Sequence, residues 1–248
     1  MGAGSKEYEL TDFDRIEVAG FNLHWGCGGD GVPFDVTAAC AALGADVIAL
    51  QEVWTPNGRP SIAARAAEEL GYGIRELPLT RLADIDGFRV VEREQEATGS
   101  WGLALLTRFP VTGHRVLDLG RAAGDTVRRA AQSAVLELPS GGTLHVVNTH
   151  LTHRLHAGPR QLRRLVRGLG PLSGAVVMGD LNMTGPVAAA LARRRRAVTG
   201  RTWPAGRPVA QLDHILVPRG YEIAGGEVLP GLGSDHRPVR AALLPRAQ

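Results

Sequence analysis

The chain has 248 residues, 44% of them hydrophobic, and a formal net charge of +3. Length and apolar content suit one domain over 1–248 with a sizeable core and a loose N-terminal segment over 1–14. The mild charge does not announce a nucleic-acid partner, the two cysteines suggest no disulfide framework and fit a reducing compartment, and no apolar run approaches the roughly 18 residues of a membrane span.

The acidic N-terminus has no apolar h-region, and Lys6 stands where a myristoylation signal needs Ser or Thr. The expectation is a soluble, cytoplasmic monomer. The stretch "RIEVAGFNLHW" (15–25) reads as a first strand. "GCGGDG" (26–31) follows it and imitates a dinucleotide fingerprint. Pro33 separates those glycines from the helix "FDVTAACAALG", however, and Asp46 begins its strand rather than ending it. A loop beside the first strand is the better reading. "ADVIALQEVW" is a second strand, and "SIAARAAEELG" is a helix with Ser61 as N-cap and Gly71 just past its end. "WGLALLTRFP", "AAQSAVLELP" and "TLHVVNTHL" are further strands, apolar almost throughout, as strands buried on both faces should be.

"HLTHRLH" spaces His150, His153 and His156 like zinc ligands on a helix, but the preceding residues are strand-like and no cysteine or carboxylate completes a set. "PRQLRRLVRGLG" is a helix opened by Pro159 and closed at Gly170. "GAVVMGDLN" is a strand. "PVAAALA" and the four arginines 193–196 read as a helix with a solvated basic end, favourable to the macrodipole. "QLDHILVP" is the last strand read in this way, and "GSDHRPV" (233–239) a turn whose histidine exceeds what turn chemistry needs.

Polar residues collect where these strands end: Asn22, Glu52, His150, Asp180 and Asn182. Rigid sheets commonly present catalytic groups on such a rim. Carboxylates and carboxamides suit Mg²⁺ or Mn²⁺, which prefer oxygen ligands. His150 and His236 can donate to a phosphoryl oxygen, and Asp213 can orient an imidazole. No Ser-His-Asp or cysteine-nucleophile pattern competes, which favours direct attack by water.

The order "FNLHWG", "LQEVW", "GLALLTRFP", "VVNTHL", "VMGDLN", "LDHILV", "SDHRPV" resembles the endonuclease/exonuclease/phosphatase superfamily, from Phe21 to Val239. The resemblance implies an α/β fold, a four-layer sandwich of two packed mixed β-sheets flanked by helices. It also implies a Mg²⁺-dependent phosphoric ester hydrolase. By position it gives Asn22, Glu52 and Asp235 to the metal site. Asp180 matches the group that deprotonates the attacking water, and Asn182 the one that orients it. His150 and His236 match the phosphoryl-oxygen donors, Asp213 the partner of His236, and Arg129 a recurrent family arginine. Where several family nucleases carry an acid two residues after the first Asn, this chain has His24.

The four tryptophans lie beside motif ends, and Trp25, Trp54 and Trp203, with Arg129 and His24, are candidates to wall a substrate pocket. The substrate expected is a small-molecule phosphate mono- or diester. A nuclease acting on DNA or RNA is the alternative, and a catalytically silent binding relative a further one. A nucleic-acid partner therefore stays open.

Overall fold

The computed structural model describes residues 15–81, 98–170 and 174–246, so the loose segment expected over 1–14 lies outside the described residues. Among the described residues, twelve strands form two six-stranded sheets. The first contains β1 (Ile16–Asn22), β2 (Val47–Pro56), β3 (Gly73–Arg81), β4 (Gly99–Thr107), β11 (Tyr221–Val228) and β12 (Val239–Pro245), in the order β11-β12-β1-β2-β4-β3. The second contains β5 (Val111–Arg121), β6 (Arg128–Glu137), β7 (Thr143–Thr149), β8 (Val176–Asp180), β9 (Arg195–Arg196) and β10 (Asp213–Val217), in the order β5-β6-β7-β8-β10-β9. Both sheets are mixed: β1–β2 and β7–β8 are parallel pairs among antiparallel neighbours.

Residues from the facing sides of both sheets, among them Val18, Val47, Leu136, Val146, Met178 and Ile215, form one buried cluster. The outer face of the first sheet packs on helices α1 (Val36–Leu43) and α2 (Ile62–Leu70) through Phe21, Ile48, Leu50 and Leu106. The outer face of the second packs on α3 (Gly158–Leu169) and α4 (Gly185–Ala192) through Val147, Val177 and Leu216. The four expected layers are therefore present. The central strands are apolar on both faces because each face has a partner layer.

Local signals set the helices. Ser61 Oγ accepts from Ala64 N at 2.8 Å, and Gly71 ends α2 in the left-handed region, as expected. Asp35 caps α1 in the same way, accepting from Ala38 N at 2.9 Å. Its carboxylate occupies the helix N-terminus on which a dinucleotide would place its pyrophosphate.

The arginine run corrects one expectation. Helix α4 stops at Ala192, Arg193 turns the chain at φ 53°, and Arg195–Arg196 add a short strand to the edge of β10. Arg194 turns back, its Nε donating to the Ala175 carbonyl at 2.9 Å. The run reverses the chain and ties it to the sheet; it is not a solvated helix end.

Between the sheets lies one polar cluster. Asn148 is fully buried, and its Nδ2 donates to the carbonyls of Leu50 and Ala104 and to Gln132 Oε1, at 2.9, 2.8 and 3.1 Å. Its Oδ1 accepts from Gln51 Nε2 at 2.8 Å. This links β2 and β4 of one sheet to β6 and β7 of the other, one residue from Glu52 and two from His150.

Candidate active site

Both parallel strand pairs aim their C-terminal ends at one cleft of about 520 Å³. Asn22 closes β1 and Asp180 closes β8. Asp213 opens β10 directly opposite Asp180, because these two strands run antiparallel in that register.

Glu52 arrives differently from the sequence expectation. It sits inside β2, at a bulge between Gln51 and Val53, with φ 51°. A bulge re-aims one side chain of a strand. A left-handed glutamate is costly, and such strain gathers at functional sites. Asn182 also has positive φ (49°), which asparagine tolerates well.

Gly179 and Gly233 permit close approaches behind the site. A Cβ on Gly179, at φ 135°, would stand 2.0 Å from the Thr149 carbonyl oxygen, so β7 and β8 meet this closely only over glycine. A Cβ on Gly233 would stand 2.4 Å from Phe34. The loop 233–236 is thereby pressed onto the loop after β1, where Ser234 Oγ donates to the Asn22 carbonyl at 2.7 Å.

The side chains form one connected group. Asn22 Nδ2 donates to Glu52 Oε1 and to Asp180 Oδ2, both at 3.2 Å. Asp180 Oδ1 accepts from the Asn182 backbone N–H at 2.8 Å. His236 Nδ1 lies 2.8 Å from Asp213 Oδ2, and its Nε2 lies 3.8 Å from Asp180 Oδ2 and 4.0 Å from Asp235 Oδ1. Burial opposes a charge on His236, but Asp213 beside it, helped by Asp180 and Asp235, holds its pKa up at about 10. Burial raises Asp180 to about 7, with His236 pulling it down and Asp213 pushing it up. Glu52 is raised too, again chiefly by burial.

His150 behaves oppositely. Burial, reinforced by Arg129 and His236, holds its pKa well below the usual imidazole value, so the ring is neutral. Asn182 Nδ2 donates to the Leu151 carbonyl at 3.0 Å and lies 3.2 Å from His150 Nε2. Nε2 is then the acceptor, which puts the proton on Nδ1. That Nδ1 is buried with no hydrogen-bond partner, and Glu52 Oε1 lies 3.8 Å from it.

Hard oxygen donors are available for a cation. Glu52 Oε2 is buried without a partner, an orphan that a divalent ion would satisfy, and Asn22 and Asp235 adjoin it. Asp180, Asp213 and His236 also form a group that could hold a metal ion, with ligand atoms within 4.8 Å of one another. Within that trio Asp213 Oδ2 is already bonded to His236 Nδ1, while Asp213 Oδ1, like Glu52 Oε2, is buried without a hydrogen-bond partner. His150, His153 and His156 form no metal group among the described residues, the last two being exposed.

The pocket candidates divide. Trp25, Trp203 and Arg129 line the cleft, as does Trp101. Trp203 donates its indole N–H to Asp235 Oδ2 at 3.2 Å. His24 stands behind Asp235, 3.7 Å from its Oδ1. Trp54 lies apart from the cleft, buried in the core beneath the first sheet's helices. Sequence reasoning missed Asp125, a buried residue of the cleft wall whose Oδ2 lies 3.4 Å from Arg129 Nε. The Arg129 guanidinium rests 5.4 Å from the Trp101 ring centroid. Nothing local in "AAGDTVRR" distinguishes this aspartate from a turn residue.

Comparison with solved structures gives the same fold. An endonuclease/exonuclease/phosphatase from Beutenbergia cavernae DSM 12333 is 22% identical, with a TM-score of 0.70 over 94% of this chain and 72% of its own. The human Nocturnin catalytic domain with bound sulfate is 18% identical, with a TM-score of 0.70 over 94% and 95%. The Neisseria 3′ phosphatase NExo, bound to a product DNA hairpin, is 15% identical, with a TM-score of 0.60 over 91% and 98%. At these identities the likeness is one of fold. No curated protein matches this sequence. The sequence model described as Endonuclease/Exonuclease/phosphatase family matches residues 19–236, nearly the whole chain and every motif of the cleft, and the chain therefore belongs to that family.

Proposed function

We propose that the cleft hydrolyses a phosphate mono- or diester by direct attack of water, and that its substrate is a small phosphoester. One observation carries this reading. A buried carboxyl poised at about 7, Asp180, faces a charged imidazole held by Asp213, beside a glutamate oxygen that has no protein partner. Proton acceptor, phosphoryl-oxygen donor and cation anchor then share one cleft.

Asp180 accepts the proton of the attacking water, since a base with pKa near neutrality combines availability with driving force. Asn182 fixes that carboxylate through its backbone N–H and sets the His150 tautomer through its side chain. His236 Nε2–H and His150 Nδ1–H donate to phosphoryl oxygens. Such preorganised donors contribute about 3 kcal/mol each to a transition state. Glu52, Asn22 and Asp235 would hold Mg²⁺ or Mn²⁺, which when bound neutralises phosphoryl charge and stabilises the leaving oxygen. The bounded cleft and the tryptophans 25, 101 and 203 suit a compact substrate with a flat or apolar portion.

The test is product release from soluble phosphoesters, nucleotides and plasmid DNA in Mg²⁺, with and without excess chelator. Turnover of small esters that stops in chelator is the expected result, and full activity in chelator overturns the reading. The alternative is supported by the neighbour bound to a DNA hairpin. If plasmid is cut far faster than any small ester, the enzyme is a nuclease. A silent binder would show no turnover in any arm.

A further inference from the structure

The net charge of +3 conceals a strong asymmetry. Residues 138–212 contain eleven arginines and a single acid, the catalytic candidate Asp180. The rest of the chain is therefore net negative. The basic segment supplies helices α3 and α4 on the outer face of the second sheet, and the two loops that bring His153 and Trp203 to the cleft, the first running directly into α3. On α3, Arg160, Arg163, Arg164 and Arg167 recur at helical spacing and are exposed, Arg164 being paired with Asp118 Oδ2 at 3.2 Å, while Leu162, Leu165 and Leu169 face the core. Arg154, Arg201 and Arg207 are exposed on the two loops.

Those loops also carry apolar tips. Six large apolar side chains are exposed among the described residues, and three of them are Leu155 at 87%, Val209 at 62% and Trp203 at 38%. Leu155 lies two residues past His153, which lines the cleft. Val209 N donates to the Trp203 carbonyl at 2.8 Å, and Trp203 lines the cleft as well. Single exposed apolar residues are ordinary, but here they crown two loops beside one cleft, each flanked by arginines. Val32 is exposed on a third loop at this end, but Asp30 and Asp35 accompany it and exclude that loop from the patch.

We infer that this face docks on an anionic lipid bilayer, with Leu155, Val209 and the Trp203 ring entering the headgroup boundary and the arginines engaging lipid phosphates. The cleft then receives an amphiphilic phosphoester whose tail remains in the membrane. This substrate class rests on the phosphoester reading above; the docking does not. Apolar tips inside a basic field are what an interfacial protein needs. A nucleic-acid surface would use the arginines and leave Leu155 and Val209 without purpose. Among the described residues no helix is long and apolar enough to cross a membrane.

The test is flotation of the full chain, in chelator, with vesicles of phosphatidylcholine and phosphatidylglycerol, against phosphatidylcholine alone and with duplex DNA as competitor. Binding to the anionic vesicles is expected, weakened by salt. Leu155→Asp with Val209→Asp should reduce the partition coefficient about tenfold or more, as should Arg160→Glu with Arg163→Glu. Soluble-ester turnover should stay unchanged in both pairs. No flotation, equal flotation with neutral vesicles, or flotation indifferent to Leu155→Asp/Val209→Asp overturns the inference. DNA binding that displaces vesicles and ignores the apolar substitutions also overturns it, in favour of nucleic acid. If the protein floats but no phosphoester, soluble or vesicle-borne, is hydrolysed, the docking stands and the catalytic reading falls.

Discussion

Asn148→Leu tests whether the polar cluster between the sheets holds the cleft end together. The wild-type side chain is fully buried, its two amide protons shared among three acceptors within 3.1 Å of Nδ2 while Oδ1 accepts from Gln51 Nε2. The Leu50 and Ala104 carbonyls lie in paired strands and have ladder partners available, so their loss is modest. Gln132 Oε1 is more exposed to the change, since it loses the Asn148 donor, whereas Gln51 Nε2 keeps its bond to the Ala49 carbonyl at 3.0 Å. Buried orphans cost about 1–3 kcal/mol each and lost neutral hydrogen bonds about 1 kcal/mol, which places the single substitution at roughly 3–5 kcal/mol. For a chain of this length that corresponds to a fall in Tm of roughly 10 °C. Pairing Asn148→Leu with Gln132→Leu should cost less than the sum of the two single changes, by about 1–2 kcal/mol, since the orphan is removed with its partner. Urea titration of the four proteins measures this cycle. If Asn148→Leu melts within about 2 °C of wild type, or the two changes simply add, the cluster is not the clasp argued here.

Three further outcomes follow from the site. Glu52→Gln should lower turnover by orders of magnitude while leaving Tm unchanged or raised, because it removes a buried carboxylate whose pKa burial already pushes up; calorimetry and turnover in Mg²⁺ measure both, and a clearly lower Tm contradicts it. Asp213→Asn should lower the His236 pKa from about 10, since Asp213 contributes most to raising it. A raised histidine pKa stabilises the fold below the unfolded value near 6.5, and that contribution disappears as pH climbs through about 10. The variant should lose stability at neutral pH and converge on wild type at high pH; an unaltered NMR titration of His236 in the metal-free variant refutes the pairing. Gly179→Ala should destabilise severely or prevent folding, because its methyl would lie 2.0 Å from the Thr149 oxygen, and wild-type thermal stability would show that β8 can shift.

Of the five strands that the sequence concealed, all but the interior β12 share one property. β3, β5, β9 and β11 are the four edges of the two sheets, and none was read, whereas nearly every interior strand was. An edge strand has one neighbour and weak burial; β3 and β5 are mostly exposed or half-buried along their lengths, and Pro78 interrupts β3. Without a buried face there is no run of apolar residues to find. Interior strands must satisfy two layers, and that demand writes itself into composition, as in "GLALLT" or "AVVMG".

The site shows the same division between what composition records and what only geometry supplies. Asn22, His150, Asp180 and His236 were legible because strand ends and the adjoining loop fix them, and each carries a group that a core would reject. The bulge that turns Glu52 into the cleft left no mark, since "LQEVW" reads equally well as an unbroken strand. The tryptophans could not be sorted by adjacency to motifs: Trp54 and Trp101 are cross-strand partners, yet only Trp101 reaches the cleft. Net charge misled most, because +3 averages a basic face against an acidic remainder. A total says whether a molecule is attracted to a surface at a distance, and the arrangement says which side of it arrives first. Here the arginine-rich stretch 138–212 also supplies His153, Asn182 and Trp203 to the cleft wall.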